Sequence, residues 1–240
     1  GVSYKAPLGR LKETVNIIRM GFRGEKIRYE GKHFTLPLPG GEGKAIRLDH
    51  APKDIPIYLA TLGPKSLEYT GASADGWLGT SFSPDHAEAH MDHLRKGAAA
   101  AGRGLADMDL HASCNVAVGE NVQELIDAYK PGVAFSMGAM GSEKTNFYND
   151  AFKRAGYTDD ALAIQRLWKD GKRQEAVDRV PDKMVTEFGA VGTAGMVRKR
   201  FETYRDAGIN SLTLRMDANL EISQRIAHLE QIMDLLPDHD

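Results

Sequence analysis

The order of apolar segments after residue 54 constrains the fold more than any other feature of the sequence. Short apolar runs typical of buried parallel strands are each followed by a pattern typical of a helix. Alternation of this kind favours a parallel α/β architecture in which helices cover the sheet. We predict core strands at residues 55–61, 76–79, 110–118 and 211–215.

The predicted helices complete this pattern and leave two stretches outside it. Four parallel strands do not close a barrel, and the first helix follows no strand. Residues 26–52, with a hairpin signal, and 121–180 are longer than connections in α/β units, which typically have ~2–6 residues. We expect one α/β domain over residues 1–240, with excursions at 26–52 and 121–180. The predicted helices outside the excursions are residues 8–23, 64–74, 85–101, 193–207 and 220–236, with Ser83 and Thr193 as N-caps.

Composition and missing motifs exclude several functional classes. A net charge of −2 gives no field that would attract nucleic acid or an anionic membrane. No apolar run reaches the ~18 residues of a membrane helix. The single cysteine, Cys114, forms no internal disulfide, so we expect a soluble, cytoplasmic protein. We also expect its partner to be a small molecule. Motifs of serine hydrolases, P-loop NTPases and zinc proteases are absent.

The turn after the first predicted core strand is a candidate anion site. Gly63 permits close approach of the backbone, and Pro64 suits the first turn of a helix. Lys65 and Ser66 add a positive charge and a hydroxyl group. The same residues would also make an ordinary strand-to-helix turn, and this pattern alone leaves both interpretations open.

Three histidines on one predicted helix are a weaker candidate. His86, His90 and His93 follow the spacing i, i+4 and i+7, which could present imidazoles to a metal. We expect them instead to be solvated and free of metal, because the apolar positions of this helix must face the core. Those positions are Ala87, Met91 and Leu94.

Other candidates are single residues or loops. Arg215 ends the last predicted strand, where it could reach a substrate or a phosphate, or pair with Asp217. Cys114 lies in the middle of a strand, and most buried thiols are inert. The loop at residues 138–142 contains two glycines and could act as a flap over a ligand.

A set of short segments spread over nearly the whole chain is specific when taken together. The segments are residues 10–13, 24–34, 56–60, 62–67, 74–78, 138–141, 146–148, 180–185, 191–193 and 204–208. As a set they resemble the luciferase-like monooxygenase superfamily, in particular its branch of coenzyme F420-dependent oxidoreductases.

The resemblance implies a TIM-type (β/α)8 barrel of the bacterial luciferase-like kind, with an insertion. It also implies FMN or coenzyme F420 at the C-terminal ends of the strands. In such proteins the turn that matches Leu62, Gly63, Pro64, Lys65 and Ser66 contacts the cofactor phosphate. Family members begin with about four more β/α units, so we expect an N-terminally shortened chain with the C-terminal half of the barrel.

The expected function is hydride transfer with coenzyme F420 to or from a small molecule. The alternative within the superfamily is an FMN-dependent monooxygenase, and the alternative from another class is a non-catalytic fragment or binding module. We expect a homo-oligomer that covers exposed sheet edges, and no turnover by this chain alone. The sequence identifies no catalytic residue and no metal ligand.

Overall fold

The computed structural model describes residues 5–142, 144–217 and 220–236. The chain divides into two compact units, Gly1–Tyr58 and Leu59–Asp240. The single domain expected from the sequence stays a prediction. Among the described residues, no helix combines the length and the apolar character that crossing a membrane requires.

The described residues of the first unit form one helix and a small hairpin, as the sequence predicts. Helix α1 spans Pro7–Phe22, and strands β1 (Tyr29–Glu30) and β2 (Thr35–Leu36) pair in antiparallel fashion. The carboxylate of Glu13 on α1 accepts hydrogen bonds from three consecutive backbone N–H groups in the hairpin turn, at residues 32–34. These bonds fix the hairpin against the helix.

The second unit is built on a parallel sheet whose central strand is β5. The sheet has the order β3-β4-β5-β6, and β7 also pairs with β5. Strand β3 lies at the division between the units, and its residue Leu59 belongs to the second unit. The strands are β3 (Tyr58–Leu59), β4 (Gly76–Gly79), β5 (Asp109–Val118), β6 (Gly189–Gly192) and β7 (Ser211–Arg215).

The pairing register shows how β5 pairs with three other strands, β4, β6 and β7. Ala112 pairs with both β4 and β7, and Asn115 pairs with both β6 and β7. Because a strand has two edges, β4 and β6 share one edge of β5 while β7 occupies the other. The C-terminal part of β5 therefore lies between β6 on one edge and the end of β7 on the other.

The helices of the second unit alternate with these strands and also form a separate group. They are α2 (Pro64–Ser73), α3 (Glu88–Ala100), α4 (Val122–Gly138), α5 (Phe147–Arg154), α6 (Thr158–Lys169), α7 (Arg173–Asp178), α8 (Asp182–Phe188), α9 (Ala194–Asp206) and α10 (Ile222–Met233). Short 3-10 turns occur at Pro84–His86 and Leu105–Asp107.

One apolar core lies between the sheet and helices α2, α3 and α9. Trp77, Leu94 and Phe201 are among its fully or almost fully buried members. Helices α2 and α3 meet at backbone contact: a Cβ on Gly71 would lie 2.1 Å from the Leu94 carbonyl oxygen. A glycine is therefore required at this crossing.

A second apolar core joins the helices of residues 122–188 to the sheet. It contains Met137 of α4, Ile164 of α6 and Met184 of α8. Thus the long stretch after β5, predicted as an excursion from the main fold, buries its own apolar surface.

Strand β6 is the main element that the sequence analysis missed. With it, the sheet has five strands among the described residues, where four were predicted. A Cβ on Gly189 would lie 3.1 Å from the Asn115 carbonyl oxygen and 3.2 Å from that of Val185. The glycine that weakens the strand signal thus allows β6 to approach β5 closely. Thr193 caps α9 as predicted, through a bond from the Met196 N–H at 3.4 Å. The predicted cap at Ser83 is wrong, because its side chain makes no capping bond.

Candidate functional site

The turn between β3 and α2 holds the five residues predicted to bind a cofactor. Strand β3 ends at Leu59 and α2 begins at Pro64, so the turn follows the C-terminal end of a strand, as predicted. The Ser66 hydroxyl donates to the Gly63 carbonyl oxygen at 2.8 Å, and the Leu67 N–H donates to the same oxygen at 2.9 Å. These bonds close the first turn of α2, while the role of the turn in binding stays a prediction.

Side chains from other elements hold this turn in place. The Trp77 indole N–H donates to the Thr61 carbonyl oxygen at 2.9 Å, and Thr61 also shares a buried hydrogen bond of 2.8 Å with Thr70. On the other side, Nη2 of Arg154 donates to the Leu62 carbonyl oxygen at 2.7 Å. The backbone of the turn is therefore fixed by α2, β4 and α5, as a preorganised binding site requires.

Gly63 leaves open space in front of the turn. Its backbone is extended, with φ −81° and ψ 149°, a conformation that any residue can adopt. Among the described residues, a Cβ at this position would meet only the Ser66 hydroxyl, at 3.5 Å. The fold therefore does not need a glycine here, whereas a ligand that approaches the backbone closely would.

The charges around the turn favour an anion. The first turn of α2 contains no acidic residue, and Lys65 is exposed at its start. Helix N-termini carry partial positive charge and backbone N–H groups without helical partners. The guanidinium of Arg154 is half-buried, and burial lowers its pKa below the usual value. Together these groups make this turn electropositive.

The side chains of β5 alternate between two environments. Leu110, Ala112, Cys114 and Val116 are each at most 3% exposed and belong to the core beneath the helices. The residues between them, His111, Ser113 and Asn115, are polar and only partly buried. Because neighbouring side chains on a strand point to opposite faces, these three lie on the face away from α3 and α9.

Polar side chains of β7 extend this face of the sheet. His111 Nε2 and the Thr213 hydroxyl are 2.5 Å apart, and Nη2 of Arg215 donates to the Ser113 hydroxyl at 3.4 Å. Among the described residues this is the one side-chain hydrogen bond of Arg215, so the alternative pairing with Asp217 is not observed there. We call His111, Ser113, Asn115, Thr213 and Arg215 the polar face.

A cavity of about 340 Å³ lies over the C-terminal part of the polar face. Ser113, Asn115 and Arg215 form its polar floor, and Thr80 and Ser81 border it just after β4. Its remaining wall comes mostly from α4, α5 and the loop between them. Those wall residues are Gly132, Val133, Phe135, Ser136, Met140, Tyr148, Phe152 and Phe188.

Helix α5 contacts both the cavity and the turn at residues 62–66. Phe152 lines the cavity, and Arg154, two residues later, bonds to Leu62. Met140, in the loop predicted to act as a flap, borders the same cavity. Gly138, at the other end of that loop, packs against the Trp168 ring, which a Cβ would approach to 2.4 Å.

The histidine trio is split by the structure. His86 and His93 are partly exposed, but the prediction for His90 is wrong, because its side chain is 2% exposed. Its ring lies 5.6 Å from that of Trp77, and neither ring nitrogen has a partner among the described residues. Burial lowers the pKa of His90 to about 3. Within the described part of the chain, no group of His, Cys, Asp or Glu could hold a metal ion.

A buried carboxylate that the sequence analysis did not single out lies beside His86. Glu187 accepts a hydrogen bond from the Tyr157 hydroxyl and lies 3.0 Å from both His86 Nε2 and Lys183 Nζ. Burial acts to raise the pKa of Glu187, but these hydrogen bonds together hold it below the usual value. The cluster connects the segment after β4 to α8.

The remaining candidates have structural surroundings. Cys114 is fully buried, and burial raises its pKa to about 11, which agrees with an inert thiol. Thr193 serves as the N-cap of α9. The polar face and its cavity are the features that sequence reasoning missed, although strict alternation along residues 109–116 was a usable signal.

Comparison with known proteins identifies the family. The family model described as luciferase-like monooxygenase matches residues 1–211. The chain belongs to the luciferase-like monooxygenase family. The resemblance inferred from the short segments is therefore confirmed.

Two curated relatives illustrate the similarity within this family. A protein of Mycobacterium tuberculosis that is named as a coenzyme F420-dependent oxidoreductase is 32% identical over 223 residues. The match covers 89% of this chain and 64% of the relative. A 5,10-methylenetetrahydromethanopterin reductase of Archaeoglobus fulgidus is 27% identical, with 88% and 61% covered. The chain thus spans less than two thirds of the length of these relatives.

A solved structure of the family gives the same view of the fold. The coenzyme F420-dependent tetrahydromethanopterin reductase of Methanopyrus kandleri superimposes with a TM-score of 0.72 over 94% of this chain and 62% of the other, at 24% identity. The predicted fold class is confirmed: the parallel sheet and its helices have the α/β fold of luciferase-like barrel proteins.

Proposed function

We propose that this luciferase-like protein is an oxidoreductase that transfers hydride with coenzyme F420. In this proposal Leu62, Gly63, Pro64, Lys65 and Ser66 hold the phosphate of the cofactor. The observation that carries the proposal is the fixed, open and electropositive turn after β3. The names of the Mycobacterium tuberculosis relative and of the Methanopyrus kandleri structure, which both include coenzyme F420, support this choice of cofactor.

The residues of the turn suit a phosphate group. The N–H groups at the start of α2 would donate hydrogen bonds to the phosphate oxygens, and Lys65 would neutralise part of the charge. Arg154 would keep the Leu62 carbonyl group turned toward its own guanidinium. When bound, coenzyme F420 would supply the hydride chemistry, and the protein would supply orientation and a substrate pocket.

The experiment that tests this proposal is a titration of Gly63→Val with coenzyme F420, followed by fluorescence. We expect affinity to fall by at least about tenfold, because the added side chain would obstruct close approach of the phosphate. The extended backbone of Gly63 accommodates valine, so the fold should not change. Gly195→Val is the matched control at the start of α9, since a Cβ on Gly195 meets nothing within 4 Å among the described residues.

Equal affinity of Gly63→Val and the unchanged chain would contradict the assignment of the turn. The same titration with FMN distinguishes the alternative function, an FMN-dependent monooxygenase. Both cofactors end in phosphate, so the turn serves either, and preferential binding of FMN would replace the F420 proposal. Absence of binding by both cofactors would favour a non-catalytic binding module.

We also propose that the protein acts in the cytoplasm as a homo-oligomer. Helix α10 supports association, because Ile222, Ile226, Leu229 and Met233 are between 42% and 74% exposed and follow one another at helical spacing. Light scattering should give a mass above that of one chain, and Ile226→Glu should lower it. Gln231→Glu, at an exposed polar position of the same helix, is the control; a monomer at every concentration would contradict the proposal.

A further inference from the structure

The cavity over the polar face has a chemical character that the cofactor proposal does not explain. Among the described residues that line it, Arg215 is the one charged side chain, and none is a carboxylate. A cationic group in a cavity whose lining contains no carboxylate is a means of recognising an anionic ligand.

The guanidinium of Arg215 has donors to spare. Its one hydrogen bond among the described residues is the contact of 3.4 Å with the Ser113 hydroxyl, which is long for a hydrogen bond. A guanidinium carries five N–H donors in a planar fork that matches a carboxylate or a phosphate. The side chain is also exposed, so a ligand can reach it from solvent.

Neutral hydrogen-bonding groups surround this charge. Asn115 is the register partner of Arg215 and shares the polar face. Ser113, Thr80 and Ser81 add hydroxyl groups at the same edge of the sheet. Each of these groups can donate to an oxyanion, and none repels one. Ligands of α/β barrels bind at this edge, where the parallel strands end.

The opposite wall of the cavity suits a carbon skeleton. The rings of Phe152 and Phe188 lie 4.4 Å apart, and Phe135 and Met140 add apolar surface. A volume of about 340 Å³ is within the range of small-molecule sites. The cavity therefore combines one cationic end with a mainly apolar wall.

We propose that this cavity binds a small organic substrate through its anionic group, a carboxylate or a phosphate, and that Arg215 with Ser113 recognises that group. The proposal rests on the proposed function, because it takes the cavity as the substrate pocket of an oxidoreductase. It names the substrate class that the proposed function leaves open.

The test uses three probes of nearly the same shape: benzoate, phenyl phosphate and the neutral benzamide. Binding to the isotope-labelled full chain is followed by NMR shifts of Ser113, Asn115 and their neighbours. We expect at least one anion to bind about tenfold more tightly than benzamide, and Arg215→Gln to abolish this preference. The anion preferred over benzamide identifies the group as carboxylate or phosphate.

Two further variants keep the test specific. Arg215→Lys retains the charge without the fork and should restore part of the preference. Arg198→Gln removes an exposed arginine from α9 and should leave the preference unchanged. Equal binding of anions and benzamide by the unchanged chain, or a preference that persists in Arg215→Gln, would overturn the proposal.

Titration of the unchanged chain with coenzyme F420 separates this proposal from the proposed function. If the cofactor binds but the anions are not preferred, the substrate class is wrong and the cofactor assignment stands. If the anions are preferred but no cofactor binds, Arg215 recognises anions in a protein with a different function.

Discussion

The two faces of strand β5 differ completely although they are built from alternate residues of one segment. On the helix-covered face, Leu110, Cys114 and Val116 are almost fully buried in the apolar core. On the other face, His111 and Ser113 make hydrogen bonds to β7, and Ser113 and Asn115 border a cavity. The comparison shows that one face stabilises the fold while the other is available for ligands.

This division explains why a single strand can satisfy two requirements. A substitution on the covered face removes apolar contacts that cannot be replaced by water. A substitution on the polar face exchanges one partly hydrated group for another. Stability and ligand binding should therefore respond to different residues of β5.

The largest expected effect is a loss of stability on the covered face. Leu110→Ala should lower the free energy of unfolding by roughly 2–5 kcal/mol, because it leaves a cavity in the core. Ser113→Ala, three residues along the same strand, should change it by less than about 0.5 kcal/mol. Urea denaturation of both variants measures the difference, and comparable losses would contradict the division of roles.

The next effect concerns two histidines, one on each side of the sheet. Burial lowers the pKa of His90 to about 3, so His90 is neutral in the folded chain while the unfolded chain takes up a proton near pH 6.5. The contribution of neutral His90 to the free energy of unfolding is complete above about pH 6.5, and it is lost as the pH falls from about 6.5 toward 3. The free energy of unfolding should therefore decrease by up to about 1.4 kcal/mol per pH unit in this window.

Denaturation of His90→Leu between pH 7 and 5 measures this contribution. We expect a shallower pH dependence than in the unchanged chain, by close to one proton. His111→Leu is the matched control, because His111 lies on the polar face and contacts Thr213. An unchanged slope in His90→Leu would show that His90 is not the titrating group.

The smallest effect is expected within β7. Thr213→Val removes the hydroxyl group beside His111 and should cost less than about 1 kcal/mol, since this group is exposed. Leu214→Thr, at the next position, replaces a side chain that packs on the apolar core and should cost more. A larger loss of stability in Thr213→Val than in Leu214→Thr would contradict the assignment of Leu214 to the covered face of β7.

Much of this architecture could be predicted from local sequence signals. The strands at residues 76–79 and 211–215 have the predicted bounds, because turn residues delimit both apolar runs. Strand β6 gave no such signal, since it is short and begins and ends with glycine. Its position depends on contact with β5, which lies more than 70 residues earlier in the chain.

The candidate site was predicted less completely than the fold. The turn at residues 62–66 was visible because glycine, proline and lysine follow a strand. The cavity was not, because it forms where β7 and α5 meet β5, at positions far apart in sequence. The error for His90 was avoidable: Ala87, His90 and Leu94 follow one helical stripe, and that stripe faces the core.

The most direct test of the account is hydrogen exchange of the chain with and without coenzyme F420. The cofactor should slow exchange at residues 63–67, where the N–H groups of α2 would contact its phosphate. The segment 194–197, at the start of α9, provides a helix N-terminus for comparison and should not change. Protection of 194–197 instead of 63–67, or no protection at saturating cofactor, would contradict the central claim.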